Sequence, residues 1–229
     1  MAYLIKNAQA VFSPSVADAT DIRISDGKIT ELGRDLAPAV GETLIDARGC
    51  VVWPGLVNTH HHLAQSIMKG VPGGLNQNLN DWLGSVPYRY WPKVTPELMY
   101  HAARLGLYEL LRSGGTTCAD HHYLYHATTS PELEDAVWRA ADELGMRLVL
   151  CRGSATSVGS HHGMIEHGIA PETIGQIIER LDASRTRYHQ DGGDAMRKLV
   201  VAPTSLIHSS DPDGLREQAA YAREFKLGM

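Results

Sequence analysis

Apolar and polar positions alternate through the first fifty residues. Ile22 and Ile24 are separated by polar neighbours, Asp26-Gly27 supplies a tight turn, and Ile29 and Leu32 continue on the returning strand. Leu44-Ile45-Asp46 is a further short strand closed by Ala47-Arg48-Gly49, and no helical period appears before residue 60. The pattern predicts a small β-module over residues 1–53, part of a β-sandwich. From Val51 the chain reads strand, loop, helix, repeated. Val51-Val52-Trp53 begins a buried run that reaches His60 through Pro54-Gly55. Thr95-Pro96 opens a helix over 96–112, and Gly114-Gly115 lie beyond its end. Thr116 to Ala119 is the second strand. Ser130-Pro131 opens a helix whose Leu133, Val137, Ala140 and Leu144 form one stripe, stopped by Gly145. Arg147 to Cys151 is the third strand, and Pro171 opens a helix carrying Ile174, Ile177, Ile178 and Leu181. Leu199 to Ala202 is the fourth strand, and Asp211-Pro212 caps a helix carrying Leu215, Ala219 and Ala222, ended by Gly228.

Four successive strand–helix units predict a parallel sheet, either an open doubly wound one or part of a closed barrel. Polar residues gather after each strand: His60 to His62, Asp120 to His122, Arg152 to Ser154, and Thr204-Ser205. A barrel brings all its strand C-termini around one site, which suits this distribution. The glycine-rich turn of a dinucleotide-binding sheet is missing after the first strand. The expected fold is therefore α/β, a (β/α)8 TIM-type barrel whose first four strands and helices occupy residues 54–229.

Composition narrows the function. Hydrophobic residues make up 43% and charged residues 21% of the 229, a globular balance that argues against disorder. The net charge of −5 carries no basic run, so no nucleic-acid partner is expected. No apolar stretch approaches the roughly 20 residues of a membrane span. The N-terminus has no secretion-signal pattern, and Cys50, Cys118 and Cys151 are isolated. Together these predict a cytoplasmic protein with reduced thiols. Histidine stands out: five of the 12 fall in two clusters, His60 to His62 and His121-His122.

Thr59-His60-His61-His62 ends the first barrel strand. Alternate strand residues share a face, so His60 and His62 project together while His61 points away. Two such imidazoles can converge on one zinc-sized ion. Taken alone, an H-x-H pair on a strand is equally well a hydrogen-bonded structural pair.

Pro54-Gly55-Leu56-Val57-Asn58-Thr59-His60-His61-His62-Leu63 resembles the signature of the amidohydrolase superfamily, in its cytosine deaminase and triazine hydrolase-like branch. Ile45 to Gly49 resembles that family's link from β-module to barrel. Gly115-Thr116-Thr117, Asp120-His121-His122-Tyr123 and Arg152-Gly153-Ser154 resemble the 8-oxoguanine and isoxanthopterin deaminases of that branch. The resemblance runs through all 229 residues. It implies His60 and His62 as ligands of one divalent metal, zinc first and iron as the alternative. It also implies a metal-bound hydroxide that attacks an amino-bearing ring carbon and releases ammonia. The family's third histidine ligand, its general-acid glutamate and its metal aspartate belong to later strands, so no catalytic acid or base is expected within these residues. A second metal would use a lysine at the end of the fourth strand. That end is Ala202-Pro203-Thr204, with Lys198 at the opposite end, so one metal is expected.

Four further residues are substrate-binding candidates, each with a structural alternative. Gln65, one turn beyond the metal strand, offers a donor and an acceptor to a ring edge, or braces a loop. Trp82, in the long connection Met68 to Val94, could stack on a heterocycle, or belong to a mini-core with Tyr88, Tyr90 and Trp91. His121, and His122 beside it, could meet substrate or pack. Arg152 could anchor a ring carbonyl, or form a salt bridge under the loops. His161, His162 and His167 read as solvated or lid residues. The expected partner is a purine- or pterin-like small molecule, and a homo-oligomer is left open. Rival readings are a triazine-type chloro- or N-alkylamino-hydrolase, and a non-catalytic half-barrel. The 229 residues alone are expected to be inactive, because four units cannot close an eight-stranded barrel and leave an apolar edge unpaired.

Overall fold

A computed structural model of the chain describes every residue except 14, 15, 17, 158–164 and 206–210. The chain divides into two compact units, Met1–Gly55 and Leu56–Met229. Among the described residues, no helix is long and apolar enough to cross a membrane.

The first unit is all β: β1 (Ala2–Lys6), β2 (Ala10–Val11), β3 (Asp21–Ser25), β4 (Lys28–Gly33), β5 (Thr43–Asp46) and β6 (Val51–Val52). The main sheet has the order β4-β3-β1-β5, and β2 pairs with β6 in a second, two-stranded sheet. Asp26 and Gly27 connect β3 to β4 with φ of 49° and 76°, the doubly left-handed turn that matches strand twist. Leu4 and Ile22 are buried, whereas Ile29, Leu44 and Ile45 on the flanking strands are exposed. Buried Asp21 ties the unit together. Its carboxylate accepts the Asn7 and Leu36 amides at 2.9 Å each and lies 3.3 Å from Lys6 Nζ. Burial alone would raise its pKa, but these bonds and the Lys6 charge bring it below the usual carboxylate range.

The second unit is built on four parallel strands, β7 (Leu56–His61), β8 (Gly115–His122), β9 (Arg147–Ser154) and β10 (Arg197–Pro203). Their order is β10-β9-β8-β7, so each strand lies beside its neighbour in sequence. A doubly wound sheet reverses that order at a switch point, and a barrel does not. Two short helices, α1 (Leu79–Ser85) and α2 (Pro87–Tyr90), precede the long α3 (Pro96–Arg112). α4 (Glu132–Leu144), α5 (Ile174–Tyr188) and α6 (Pro212–Glu224) follow β8, β9 and β10 in turn. Thr95 caps α3 by accepting the Leu98 amide, and Gly145 ends α4 at φ 64°. Leu63, Met99, Leu107, Leu148, Leu150 and Leu199 lie in the core between sheet and helices.

Four expectations need correction. Val51-Val52-Trp53 does not begin a buried barrel strand: Val51 and Trp53 are exposed, Val51–Val52 is β6 of the first unit, paired with β2, and the first strand of the parallel sheet starts at Leu56. β8 and β9 each run three residues past their apolar runs: their mutual ladder continues to His122–Arg152, and β9 goes on to Ser154 against Pro203 of β10. Backbone pairing is indifferent to the polarity change that suggested a strand end. α5 begins at Ile174 rather than Pro171, where Thr173 and Gln176 close a capping box. The connection Met68 to Val94 is not bare loop. Asn78 caps α1, and Tyr88 and Trp91 are buried in the core. His167 lies in a short helical turn, Ile165–His167, while His161 and His162 fall outside the described residues.

Candidate metal centre

β7 is irregular where its histidines begin. Asn58 pairs with Cys118, and His61 with Asp120, so β7 advances three residues while β8 advances two. One extra residue is thus accommodated at Thr59-His60, a bulge that bends the strand and re-aims its side chains. The two imidazoles converge, with His60 Nε2 3.1 Å from His62 Nε2. Two ligands at about 2.0–2.1 Å from a tetrahedral ion stand roughly 3.3 Å apart, so the pair fits one zinc-sized ion. The same separation fits a hydrogen bond between the rings.

The surroundings of His62 favour ligation. Its Nδ1 lies 2.8 Å from the His121 carbonyl. A carbonyl only accepts, so Nδ1 carries the proton and Nε2 keeps its lone pair, the tautomer a metal ligand needs. Burial also pushes the His62 imidazole below the ordinary histidine range, which favours the neutral ring. His61 lies against Gly106 of α3, although it also borders the cleft described next, and its buried Nδ1 has no hydrogen-bond partner among the described residues. Burial lowers its pKa as well.

His60, His62, Gln65 and Trp82 line one cleft of about 320 Å³, together with Lys69 and Leu75. Gln65 is half-buried on the helical turn Leu63–Met68. Its side-chain amide makes no hydrogen bond among the described residues, so nothing there uses it as a brace. His121 stands beside the pair rather than in that cleft. Its ring stacks on His60 at 4.4 Å, and its Nε2 is 3.3 Å from the Thr59 carbonyl. Among the described residues no group of three or more His, Cys, Asp or Glu side chains could hold a metal. His60 and His62 therefore offer two ligands and no third.

Arg152 does not occupy the place expected for it. Its side chain is wholly buried, forked onto the equally buried Glu172 at 2.6 and 2.8 Å. The guanidinium also stacks 4.0 Å over the Tyr125 ring. Arg180 adds a second contact to Glu172 at 2.8 Å. An arginine whose charge is so matched and enclosed cannot also anchor a ring in the cleft, so the salt-bridge alternative describes it.

One residue was missed. Asp120, wholly buried, accepts the Leu63 amide at 2.8 Å and holds His122 Nδ1 at 3.2 Å. A carboxylate directly after the apolar Cys118-Ala119 was the available signal, since a buried acid needs dedicated partners.

The consecutive strand order is that of a TIM-barrel type sheet, and the histidine pair stands at the C-terminal end of its edge strand. The chain belongs to the amidohydrolase family, whose model matches residues 51–226. It is 40% identical over 234 residues to an isoxanthopterin deaminase from an unknown prokaryotic organism, covering 99% of this chain and 48% of that protein. It is 38% identical over 225 residues to the 8-oxoguanine deaminase of Pseudomonas aeruginosa, covering 95% and 48%. Among solved structures it is similar to atrazine chlorohydrolase TrzN from Arthrobacter aurescens TC1 complexed with zinc. That match has a TM-score of 0.86 and 28% identity, and covers 98% of this chain and 51% of that one. The chain thus spans about half the length of the relatives it matches. The fold is the TIM-barrel type of this family.

Proposed function

We propose that this chain supplies the metal-binding edge of an aminohydrolase that releases ammonia from a purine- or pterin-like heterocycle. The observation that carries the reading is the pair of Nε2 atoms 3.1 Å apart, with the His62 tautomer set by a backbone carbonyl. His60 and His62 hold one divalent ion, zinc before iron. When bound, such an ion lowers the pKa of water and polarises the carbon under attack. Gln65 meets the polar edge of the ring with one donor and one acceptor, and Trp82 offers it a flat face across the same cleft. His121 supports the pair by stacking.

The names of the two relatives, deaminases of a pterin and of a purine, support the substrate class. The likeness to a triazine chlorohydrolase supports a second reading, displacement of chloride or an alkylamine from a triazine. We further read the parallel sheet as the first four units of an eight-stranded barrel, and residues 1–53 as part of a β-sandwich. Two observations support the half-barrel. Leu56 and Val57 on the edge strand β7 are exposed, and Gly228 already pairs in parallel with Val200 on the opposite edge. The expected location is the cytoplasm.

The test uses the full-length protein that carries this chain, purified with its metal. We expect about one divalent ion per chain and ammonia release from isoxanthopterin or 8-oxoguanine well above that from cytosine. His60→Ala/His62→Ala is expected to lose the ion, with turnover falling by about 10³-fold or more. Unchanged metal content in the double variant would overturn the ligand assignment. Preference for a chlorotriazine would favour the second reading.

A further inference from the structure

The two histidines sit where the β7–β8 ladder fails, and something other than the ladder must hold their backbone. β7 ends at His61, and His62 leaves it with φ −132° and ψ 86° to enter the turn Leu63–Met68. The Leu63 amide, which a regular parallel ladder would not reach past the bulge, is taken by the Asp120 carboxylate at 2.8 Å. Asp120 pairs with His61 in register. Its other oxygen is fixed by His122 Nδ1 at 3.2 Å, and both side chains are buried. The next residue, His121, supplies the carbonyl that sets the His62 tautomer. Two adjacent residues of β8 thus grip the Leu63 amide, which follows His62, and the His62 ring.

A bare hydrogen bond to a turn amide needs no buried acid. A serine or a water would serve, and a carboxylate brings a desolvation cost. A rigid, doubly held acceptor is what a bulged ligand strand requires, because metal affinity depends on ligands held within fractions of an ångström.

We propose that Asp120 is a positioning residue for the metal-binding histidines, acting through the Leu63 amide to fix the exit of His62 from its strand. It touches neither metal nor substrate. The inference rests on the reading of His60 and His62 as ligands.

The experiment compares wild type, Asp120→Ala, Asp120→Asn and His62→Ala in the full-length protein. Zinc affinity is read by competition with a chromogenic chelator, Tm is taken for metal-free and zinc-loaded samples, and the visible spectrum is recorded after cobalt substitution. Asp120→Ala is expected to weaken zinc at least tenfold. It should also shrink the rise in Tm that zinc confers and alter the cobalt spectrum. Asp120→Asn keeps an acceptor for the Leu63 amide and is expected to stay within about threefold of wild type. A purely structural role would lower Tm equally with and without zinc, leaving affinity and spectrum unchanged, and that result would overturn the proposal. So would an asparagine variant as impaired as the alanine one. Should the alanine protein fail to fold, Asp120→Glu keeps the charge but moves the oxygens by one methylene. It is then expected to lose zinc affinity, and wild-type affinity would overturn the proposal. His62→Ala separates the two readings: if it binds zinc as wild type does, the ligand assignment has failed, whatever Asp120 does.

Discussion

The C-terminal ends of β7 and β9 both break from apolar runs into polar residues, yet the two ends differ in what those residues face. β7 is an edge strand, bulged at Thr59-His60, and its histidines open on a cleft that Gln65 also lines. β9 is central, with β8 on one side and β10 on the other. Arg152 at its end is closed over by the segments that follow β8 and β9 and is matched by Glu172 and the Tyr125 ring. A polar residue at a barrel strand end is therefore not evidence of a solvent-facing site. What separates the cases is whether the neighbouring segments carry a complementary charge. At β9 they do, and the arginine becomes part of the support beneath the site.

The largest expected effect tests that contrast directly. Glu172→Ala would leave Arg152 charged and buried with only the Gly153 carbonyl and an aromatic face. Removing one partner of a buried pair costs about 3–5 kcal/mol, roughly 10 °C in Tm for a unit of this size. KM of the protein that remains folded at low temperature is expected to stay at the wild-type value. Replacing both partners, Arg152→Met with Glu172→Met, should recover most of the loss, since no uncompensated charge remains. A wild-type Tm with a raised KM in Glu172→Ala would instead put Arg152 on the substrate and erase the difference between the two ends.

The sequence carried the fold further than it carried the site, for physical reasons visible at particular residues. Caps and stops are local, so Thr95-Pro96, Gly145 and Asp211-Pro212 marked helix ends that the structure keeps. Strand periodicity pointed to a shared side for His60 and His62, and their rings do meet, although through a bulge that periodicity does not contain. Three features were not, because each depends on partners distant in sequence. The bulge at Thr59-His60 exists only relative to β8. Asp120 meets an amide 57 residues away, and the carboxylate that decides between the two readings of Arg152 lies 20 residues away.

A smaller effect is expected at Gly106, which sharpens the comparison from the β7 side. This glycine lies inside α3, where alanine would ordinarily gain about 1 kcal/mol. Here a Cβ would collide with Ser66 Oγ and stand 2.9 Å from Leu63 Cδ2, both on the turn that follows the histidines. Overpacking of this kind costs about 1–3 kcal/mol, so Gly106→Ala should lose on the order of 1 kcal/mol net. The strain falls on Leu63, whose amide Asp120 holds. A measurable loss of zinc affinity should therefore accompany the drop in Tm. A stabilised Gly106→Ala protein with unchanged affinity would show that the turn can yield without moving His62.

The smallest effect concerns Gln65, and it asks whether the open side of the comparison faces substrate at all. Its backbone amide is already committed to the His62 carbonyl at 2.9 Å, which closes the first turn after the strand. The side-chain amide has no hydrogen-bond partner among the described residues, and it borders both the cleft of the histidine pair and a small hollow that His121 also lines. Truncating a side chain that braces nothing should leave Tm and zinc affinity at their wild-type values. If the amide pairs with a neutral ring edge, its loss removes one or two ordinary hydrogen bonds, about 3–10-fold in KM. An interaction made equally in ground and transition states leaves kcat nearly unchanged, so kcat/KM should fall by the same factor. Gln65→Ala measured on the preferred bicyclic substrate checks this, and Gln65→Glu sharpens it by removing the donor while keeping an acceptor. An unchanged KM in both variants, or a Tm loss comparable with that of Glu172→Ala, would make Gln65 another supporting residue. In that case the β7 end would differ from the β9 end only in its histidines.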